Sequence, residues 1–253
     1  MKTIVTTSLR MNQTLVLRAQ EIAEQLNLDY QDRRKRSVQS ILAKTEADAV
    51  LVVYQDQLVL EEKTGQRFFF HPDTAILRIK SGRDPLLELL GPDKQTVLDC
   101  TMGLASDSIV LASAGHQVTA LESSLLIHFM VSRGLKEFDS GNEAVNQAMR
   151  SIEAIWTDSL PYLKNQADKS VDVIYFDPMF SKEIKESQNL SGLAGLANAA
   201  PLSGELLAQA KRVAKEKIIL KAHFRDAVFE RFGFKRHVRP NQKFHYGEIR
   251  LKE

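Results

Sequence analysis

The sequence predicts an α/β protein whose larger part, residues 93–253, forms a mostly parallel sheet covered by helices. The first observation is that strand-like and helix-like segments alternate from residue 95 onward, as they do in sheets built from crossover units. The second is that residues 1–92 lack this alternation and form a small α+β module with a connecting segment. In a sheet of this kind, ligands bind at the carboxyl ends of the strands.

The N-terminal module begins with a helix signal, because apolar residues recur at helical spacing between Leu15 and Leu26. Residues 37–71 then predict a short helix followed by strands, with a turn at residues 63–66. Residues 74–91 are predicted to be a connecting segment. The module has no metal-ligand or nucleophile motif, so its sequence assigns it no chemical role.

The elements of the larger part follow from runs of β-branched and aliphatic residues that alternate with amphipathic stretches. The predicted strands are residues 96–100, 117–122, 153–159, 171–177, 216–223, 234–239 and 243–251. The predicted helices are residues 106–115, 125–138, 202–215 and 224–232. Residues 187–204 are rich in Gly, Ala and Ser and predict a mobile loop over the site, with a poorly packed helix as an equal alternative.

Composition is that of an ordinary globular protein, since 43% of the 253 residues are hydrophobic and 26% are charged. No apolar run is long enough to span a membrane, and the polar first residues do not form a signal peptide. The single cysteine, Cys100, excludes an intrachain disulfide framework, and the six histidines show no metal-ligand spacing. These features predict a cytoplasmic protein without a membrane segment or a metal site.

Charge is unevenly distributed along the chain. Residues 211–253 carry 13 Lys and Arg against 5 Asp and Glu, and these basic residues alternate with aromatic ones. This composition is typical of a surface that faces phosphate and offers rings for stacking, so RNA is the predicted partner. The candidate RNA-binding residues are Lys221, Arg236, Arg239 and Lys243. A pair of solvated strands is the equal alternative, and the basic residues 33–36 are expected to form a solvated loop.

The loop after the first predicted strand of the sheet contains one glycine, Gly103, between Met102 and Leu104. A dinucleotide site would need the G-x-G-x-x-G pattern here, so the loop disfavours NAD and FAD. It suits S-adenosylmethionine, which has no phosphate and needs a close backbone approach at one point. Glu122 ends the next strand, where a carboxylate can accept hydrogen bonds from both ribose hydroxyls; a helix cap or a solvated acid is the alternative.

Polar residues also end the third and fourth strands. Asp158 and Ser159 follow the third, where they could bind an adenine edge or form a turn that caps the next segment. Asp177 follows the fourth. Asp99, within the first strand, is expected to brace the first loop by accepting backbone N–H bonds. Four consecutive strands with a polar end form a stronger signal than any one of them.

The fourth strand runs into a rigid corner, Asp177-Pro178-Met179-Phe180. An enzyme that methylates an exocyclic amine must aim the nitrogen lone pair, and the Asp177 carboxylate and the Pro178 carbonyl could accept the two amine hydrogens. Phe180 could stack on an extruded base. No strong general base is needed, because the proton can leave after methyl transfer. The alternative is a simple turn with Phe180 in the core.

These motifs resemble the ribosomal RNA small-subunit methyltransferase J family, which reads DATAGLGRD at the first loop, ER after strand two and DPMFP at the corner. Here residues 98–122 read LDCTMGLASDSIVLASAGHQVTALE and residues 174–180 read IYFDPMF. The resemblance covers about residues 70–250. Ser106 and Ser123 stand where the family has arginines, and Ser181 stands where it has the second proline.

The resemblance implies a class I, Rossmann-like methyltransferase fold with a seven-stranded sheet in the order 3-2-1-4-5-7-6. It implies S-adenosylmethionine as cofactor and methylation of a guanine N2 in 16S rRNA, in the small ribosomal subunit. The cofactor contacts that it implies are Ser106, Asp107, Glu122, Ser123, Asp158, Ser159 and Asp177. Alternatives are another RNA or a small-molecule amine as substrate, a nicotinamide-dependent oxidoreductase, and a non-catalytic RNA-binding protein.

Overall fold

The computed structural model of the protein describes residues 1–10, 12–178 and 201–251. Two sheets organise this part of the chain, one of five strands and one of seven. The five strands come from residues 3–69 and the seven from residues 96–250. The predicted boundary near residue 92 lies between the two sets of strands, and it stays a prediction.

The five-stranded sheet has the order β2-β1-β3-β4-β5. Its strands are β1 (Thr3–Thr7), β2 (Asp29–Tyr30), β3 (Ala49–Val53), β4 (Leu58–Glu62) and β5 (Arg67–Phe69). Strand β1 pairs in parallel with β2 and β3, whereas β3, β4 and β5 are antiparallel neighbours. The helices α1 (Gln13–Gln25) and α2 (Val38–Thr45) pack in separate clusters on the sheet, so β1 and β3 are buried throughout.

Two features of the N-terminal part differ from the sequence prediction. Strand β1 was not predicted, although it lies between two other strands of its sheet. The predicted connecting segment contains two helices, α3 (Asp73–Lys80) and α4 (Pro85–Leu90). Helix α4 forms because Asp84 caps it, accepting from the backbone N–H of Leu86 at 2.9 Å, and because Pro85 suits the first helical position.

The seven-stranded sheet has the order β8-β7-β6-β9-β10-β12-β11. Its strands are β6 (Thr96–Asp99), β7 (Gln117–Glu122), β8 (Glu153–Trp156), β9 (Val171–Phe176), β10 (Ala214–His223), β11 (Lys235–His237) and β12 (Phe244–Arg250). The first five are parallel, and β12 runs antiparallel to both β10 and β11. This order is the predicted 3-2-1-4-5-7-6, so the fold prediction is confirmed.

The helices of the larger part cover this sheet. They are α5 (Ser106–Ser113), α6 (Leu125–Glu137), α7 (Glu143–Ser151), α8 (Ser159–Lys164), α9 (Gly204–Val213) and α10 (Val228–Phe232). The helices α7 and α8 were not predicted. Among the described residues, no helix combines the length and the apolar character that crossing a membrane requires.

One hydrophobic core joins the two sheets. It contains residues of α1, β3 and β4 together with residues of β6, α5 and α6. Within this core Phe70, just after β5, packs against Gly134 of α6, and a Cβ atom on Gly134 would overlap the Phe70 ring. The absence of a side chain at Gly134 therefore lets α6 approach the N-terminal sheet.

Replacing Gly134 with alanine should destabilise the protein by about 1–3 kcal/mol, because the added methyl group overpacks the contact with Phe70. Chemical denaturation monitored by circular dichroism measures the change. Gly204→Ala is the matched control, since no atom lies within 4 Å of its added Cβ. Equal stability of Gly134→Ala and the wild type would show that α6 can shift without cost.

Candidate active site

A cavity of about 420 Å³ opens at the carboxyl ends of β6, β7, β8 and β9. Its lining includes most of the predicted site residues: Gly103, Glu122, Ser123, Asp158, Ser159, Asp177 and Pro178. Its apolar wall is formed by Leu160, Pro161, Phe176, Leu202 and Leu206. The parallel strands bring these residues together although they are spread over more than 100 positions of the chain.

The first loop is held in a tight conformation between β6 and α5. Gly103 has φ of 50° and Ala105 has φ of 60°, both in the left-handed region. The Gly103 N–H donates to Glu122 Oε2 at 3.1 Å, so the loop is tied to the end of β7. This arrangement brings the loop backbone to the cavity wall.

Asp99, at the end of β6, holds the same loop through hydrogen bonds. Its Oδ1 accepts from the Thr101 N–H at 2.9 Å, and its Oδ2 accepts from the Ser108 hydroxyl at 2.6 Å. The prediction that Asp99 braces the loop is therefore confirmed. Burial raises the pKa of Asp99 to about 7, although these hydrogen bonds favour the ionised form.

Glu122 is 8% exposed at the end of β7. Besides the Gly103 bond, its Oε1 accepts from the Ser124 N–H at 2.8 Å. Burial raises the pKa of Glu122, and the backbone hydrogen bonds oppose this shift. Each carboxylate oxygen has a second acceptor site, so Glu122 can brace the loop and also accept a hydroxyl from a ligand.

The end of β8 contributes Asp158 and Ser159. The Ser159 hydroxyl donates to the Cys100 carbonyl at 2.6 Å, which ties α8 to the end of β6. Asp158 occupies the N-cap position of α8, but its side chain makes no capping hydrogen bond. The turn-capping alternative therefore does not account for the Asp158 carboxylate at the cavity.

The corner after β9 is anchored to the first loop. The Asp177 N–H donates to the Thr101 hydroxyl at 2.6 Å. The Asp177 carboxylate accepts from Lys221 Nζ of β10 at 2.6 Å, and this lysine also lies 3.0 Å from Asp107 Oδ2. Phe180, the third predicted catalytic residue, lies outside the described residues.

Lys221 belongs to a buried ionic network that reaches α3. Arg78 bonds to both Asp107 and Asp84, the latter at 2.7 Å. Two cations are thus shared by three carboxylates, Asp84, Asp107 and Asp177. The Tyr175 hydroxyl adds a hydrogen bond to Asp107 at 2.9 Å.

The network shifts the pKa values of its members in opposite directions. Burial alone would raise the pKa of Asp107, but Lys221 and Arg78 lower it below its usual value. Burial raises the pKa of Asp177, Lys221 opposes the shift, and the Asp107 anion adds to it. Burial would lower the pKa of Lys221, but the two carboxylates raise it, so Lys221 stays protonated. The ionised form of Asp177 is therefore less stabilised than the ionised form of Asp107.

Two implied cofactor contacts do not line the cavity. Ser106 is the first residue of α5, and the buried Asp107 is occupied by the three donors Arg78, Lys221 and Tyr175. Their assignment to the cofactor stays a prediction without support from this geometry. The role of Arg78 is not predictable from the sequence, because nothing in its local pattern indicates a partner 29 residues away.

The candidate RNA-binding residues occupy different environments. Lys221 points to the network rather than outward, so its proposed phosphate contact has no support from the geometry. Arg236 is held by His245, Glu230 and the Phe224 carbonyl. Arg239 lies over the Tyr246 ring, 5.6 Å from its centroid, and Lys243 is exposed.

Within the described residues, no group of three or more His, Cys, Asp and Glu could hold a metal ion.

A protein-family model described as "Putative SAM-dependent methyltransferase" matches residues 35–231 of the chain. The chain belongs to this family. It is an S-adenosylmethionine-dependent methyltransferase, and this result excludes the nicotinamide-dependent alternative. The fold agrees with a SAM-dependent methyltransferase structure from Neisseria gonorrhoeae, with a TM-score of 0.61 at 17% identity, covering 97% of this chain and 95% of that one.

Three sequence relatives extend the comparison. The chain is 36% identical to the "Uncharacterized protein YpiP" of Bacillus subtilis, over 97% of this chain and 98% of the relative. It is similar to the ribosomal RNA small subunit methyltransferase J of Desulfotalea psychrophila, with 24% identity over 82% of this chain and 81% of the relative. The enzyme of that name from Acinetobacter baumannii is 31% identical over 54% of this chain, and the match spans 53% of its own length.

The cavity suits S-adenosylmethionine. Glu122 lines it and would offer carboxylate oxygens to ribose hydroxyls, and Asp158 and Ser159 line the part where the adenine edge is predicted. The Ser159 hydroxyl already donates to the Cys100 carbonyl, so towards a ligand it would act as an acceptor. The positive φ of Gly103 brings the backbone of the first loop to the cavity, where it would approach the amino-acid end of the cofactor. When bound, the cofactor supplies an activated methyl group on its sulfonium sulfur.

Removing the Glu122 side chain should weaken binding of S-adenosylhomocysteine about ten- to a hundredfold, the usual effect of losing a hydrogen bond to a charged group. Isothermal titration calorimetry of wild type and Glu122→Ala checks this. Glu153→Ala is the control, because Glu153 is exposed at the other end of β8 and contacts Thr119. Unchanged affinity in Glu122→Ala would show that cofactor binding depends on neither a contact with the Glu122 carboxylate nor its bond to Gly103.

Proposed function

We propose that this methyltransferase modifies an exocyclic amine on RNA, namely a guanine N2 in 16S rRNA of the small ribosomal subunit. The observation that carries the proposal is the corner after β9, where Asp177 and Pro178 line the cavity and Lys221 orients the carboxylate. A carboxylate and a carbonyl side by side match the two hydrogens of an exocyclic amine. The proposal places the enzyme in the cytoplasm, with rRNA as its macromolecular partner.

The names of two relatives support the choice of RNA. Both the Desulfotalea psychrophila and the Acinetobacter baumannii proteins are called ribosomal RNA small subunit methyltransferases. The basic and aromatic C-terminal part of this chain agrees with an RNA partner, since it contains 13 Lys and Arg over residues 211–253. Carrying the relatives' substrate over to this chain is part of the proposal.

The corner would act by aiming the amine at the methyl donor. The lone pair of the amine nitrogen is delocalised into the base, so the nitrogen is a weak nucleophile. Hydrogen bonds from the N–H groups to Asp177 and Pro178 would fix the nitrogen in line with the donor, and such positioning lowers the barrier substantially. After transfer, the surplus proton can pass to the Asp177 carboxylate or to water.

This role requires an ionised Asp177, because a protonated carboxyl group would offer a donor where the amine needs an acceptor. Burial raises the pKa of Asp177 to about 6, and Lys221 keeps it from rising further. The rate of methyl transfer should therefore be constant above this pKa and should fall as the pH decreases through about 6. Initial rates measured between pH 5 and 8 test the profile.

Lys221→Met should move the acid limb of this profile to higher pH, because removing the lysine removes the cation that favours the ionised form of Asp177. Lys217→Met is the matched control, since Lys217 lies on the same strand and donates to the Leu89 and Leu90 carbonyls. An acid limb at the same pH in Lys221→Met and the wild type would contradict the proposed role of the lysine.

The substrate is tested by mass spectrometry of nucleosides from 16S rRNA, 23S rRNA and tRNA in cells with and without the protein. We expect N2-methylguanosine to disappear from 16S rRNA when the protein is absent. Wild-type protein should restore it, whereas Asp177→Ala should not, because the amine loses its main acceptor. Glu153→Ala serves as the active control.

Other outcomes separate the alternatives. Loss of a mark only from 23S rRNA or tRNA would keep the chemistry and discard the proposed target. No altered nucleoside in any RNA would indicate a protein or small-molecule amine as substrate. Because RNA enzymes often recognise shape, assembled small subunits should be tested as substrate beside free rRNA.

A further inference from the structure

The phenylalanine side chains that follow β10 fall into two groups. Phe229, Phe232 and Phe234 belong to the hydrophobic core that packs against β10. Among the described residues, Phe224 and Phe244 belong to none of the hydrophobic cores, and Phe224 is 36% exposed. Packing into the hydrophobic cores therefore does not account for the exposed Phe224 ring.

Phe224 and Phe244 form a cluster with His223. The ring centroids of His223 and Phe224 are 4.7 Å apart at an interplanar angle of 38°, and those of His223 and Phe244 are 6.1 Å apart and nearly perpendicular. The Arg225 guanidinium lies over the Phe224 ring, 5.0 Å from its centroid. We call these three rings and Arg225 the aromatic platform.

The aromatic platform lies beside the corner after β9 that contains Asp177 and Pro178. His223 pairs with Phe244 across β10 and β12, and Lys221 pairs with Tyr246, so all four side chains share one face of the sheet. Lys221 Nζ lies 5.9 Å from the Phe244 centroid and 2.6 Å from Asp177. One lysine thus separates the platform from the carboxylate that receives the target amine.

Backbone hydrogen bonds hold the platform in place. The Phe224 N–H donates to the Lys243 carbonyl at 2.9 Å, and the Phe224 carbonyl accepts from Arg236. The Arg225 N–H donates to His223 Nδ1 at 3.2 Å. A surface that is ordered before binding costs little entropy when a ligand stacks on it.

We propose that the aromatic platform binds an unpaired nucleobase next to the target nucleotide, with Arg225 contacting the adjoining phosphate. Exposed rings beside cations are the elements by which proteins bind single-stranded nucleic acid. A splayed RNA loop would deliver both the target base and its neighbour to one edge of the sheet. This inference rests on the proposed RNA substrate and names the part of the RNA that the site reads.

The test compares Phe224→Leu with Phe224→Trp in methyl transfer to rRNA from cells that lack the protein. A base bound equally in the ground state and the transition state affects KM alone. Phe224→Leu should therefore raise the KM for RNA about tenfold, a typical effect of losing one stacked base, with kcat unchanged. Phe224→Trp should keep a low KM, because its ring also stacks.

A second readout follows stacking directly. Single-stranded RNA that carries 2-aminopurine should lose fluorescence on binding to the wild type and to Phe224→Trp, but not to Phe224→Leu. S-adenosylhomocysteine affinity should be the same in all three proteins. A change in S-adenosylhomocysteine affinity in Phe224→Leu would contradict the proposal. So would a lower melting temperature of Phe224→Leu that accounts for the higher KM, because Phe224 would then have a structural role.

Arg225 and Arg231 provide a matched pair of arginines. Both are exposed and lie 5.0 Å from the centroid of a phenylalanine ring, but Arg231 lies over Phe232, which packs against the core. Arg225→Ala should reduce the slope of log affinity against log salt by about one, the effect of losing one phosphate contact. Arg231→Ala should leave the slope unchanged, and equal slopes in both variants would contradict the proposed contact.

The outcomes also separate this inference from the proposed function. If the wild type methylates RNA and Phe224→Leu has the same KM, the platform is wrong and the proposed function stands. If the wild type binds S-adenosylhomocysteine but neither binds nor methylates any RNA, both are wrong.

Discussion

Lys221 reaches from β10 to two carboxylates, Asp177 and Asp107, and Asp107 in turn meets Arg78 of α3. A buried ammonium is costly to remove from water unless its partners are close and well oriented. The two partners of Lys221 come from separate segments, the start of α5 and the end of β9, and Arg78 links Asp107 further to α3. Because leaving Lys221 unpaired would be costly, the ion pairs fix the start of α5 and the end of β9 relative to β10.

The same network distributes charge unequally among its carboxylates. Asp84 is bonded by Arg78 and by backbone N–H groups of α4, and Asp107 is bonded by two cations and a tyrosine. Asp177 shares its lysine with Asp107. The carboxylate that faces the cavity is thus kept ionised near neutral pH and still retains the capacity to accept hydrogen bonds from a substrate.

Much of the fold could be predicted because local patterns and sheet order agree. The strands β6, β7, β9 and β10 are apolar runs whose burial on both faces leaves a clear signal. Strand β1 was missed, since its five residues include three threonines whose burial depends on neighbours. Thr6, for example, donates to the Gln31 carbonyl at 2.7 Å, a contact that no local pattern reveals. The helices of residues 74–91 were missed because Gly82 and Pro85 interrupt their periodicity.

The site was predictable to the extent that the strand order determines it. Acids at the ends of adjacent parallel strands must meet at one edge, so Glu122, Asp158 and Asp177 could be assigned from sequence. Lys221 could be recognised only as a charge within an apolar strand, because its partner Asp107 lies 114 residues away. Residues two positions apart on a strand share a face, so Lys221, which contacts Asp177, and the ring of His223 point the same way. The register of β10 and β12 fixes both side chains at once, so the proposed aromatic platform and the Asp177 corner are held in one geometry.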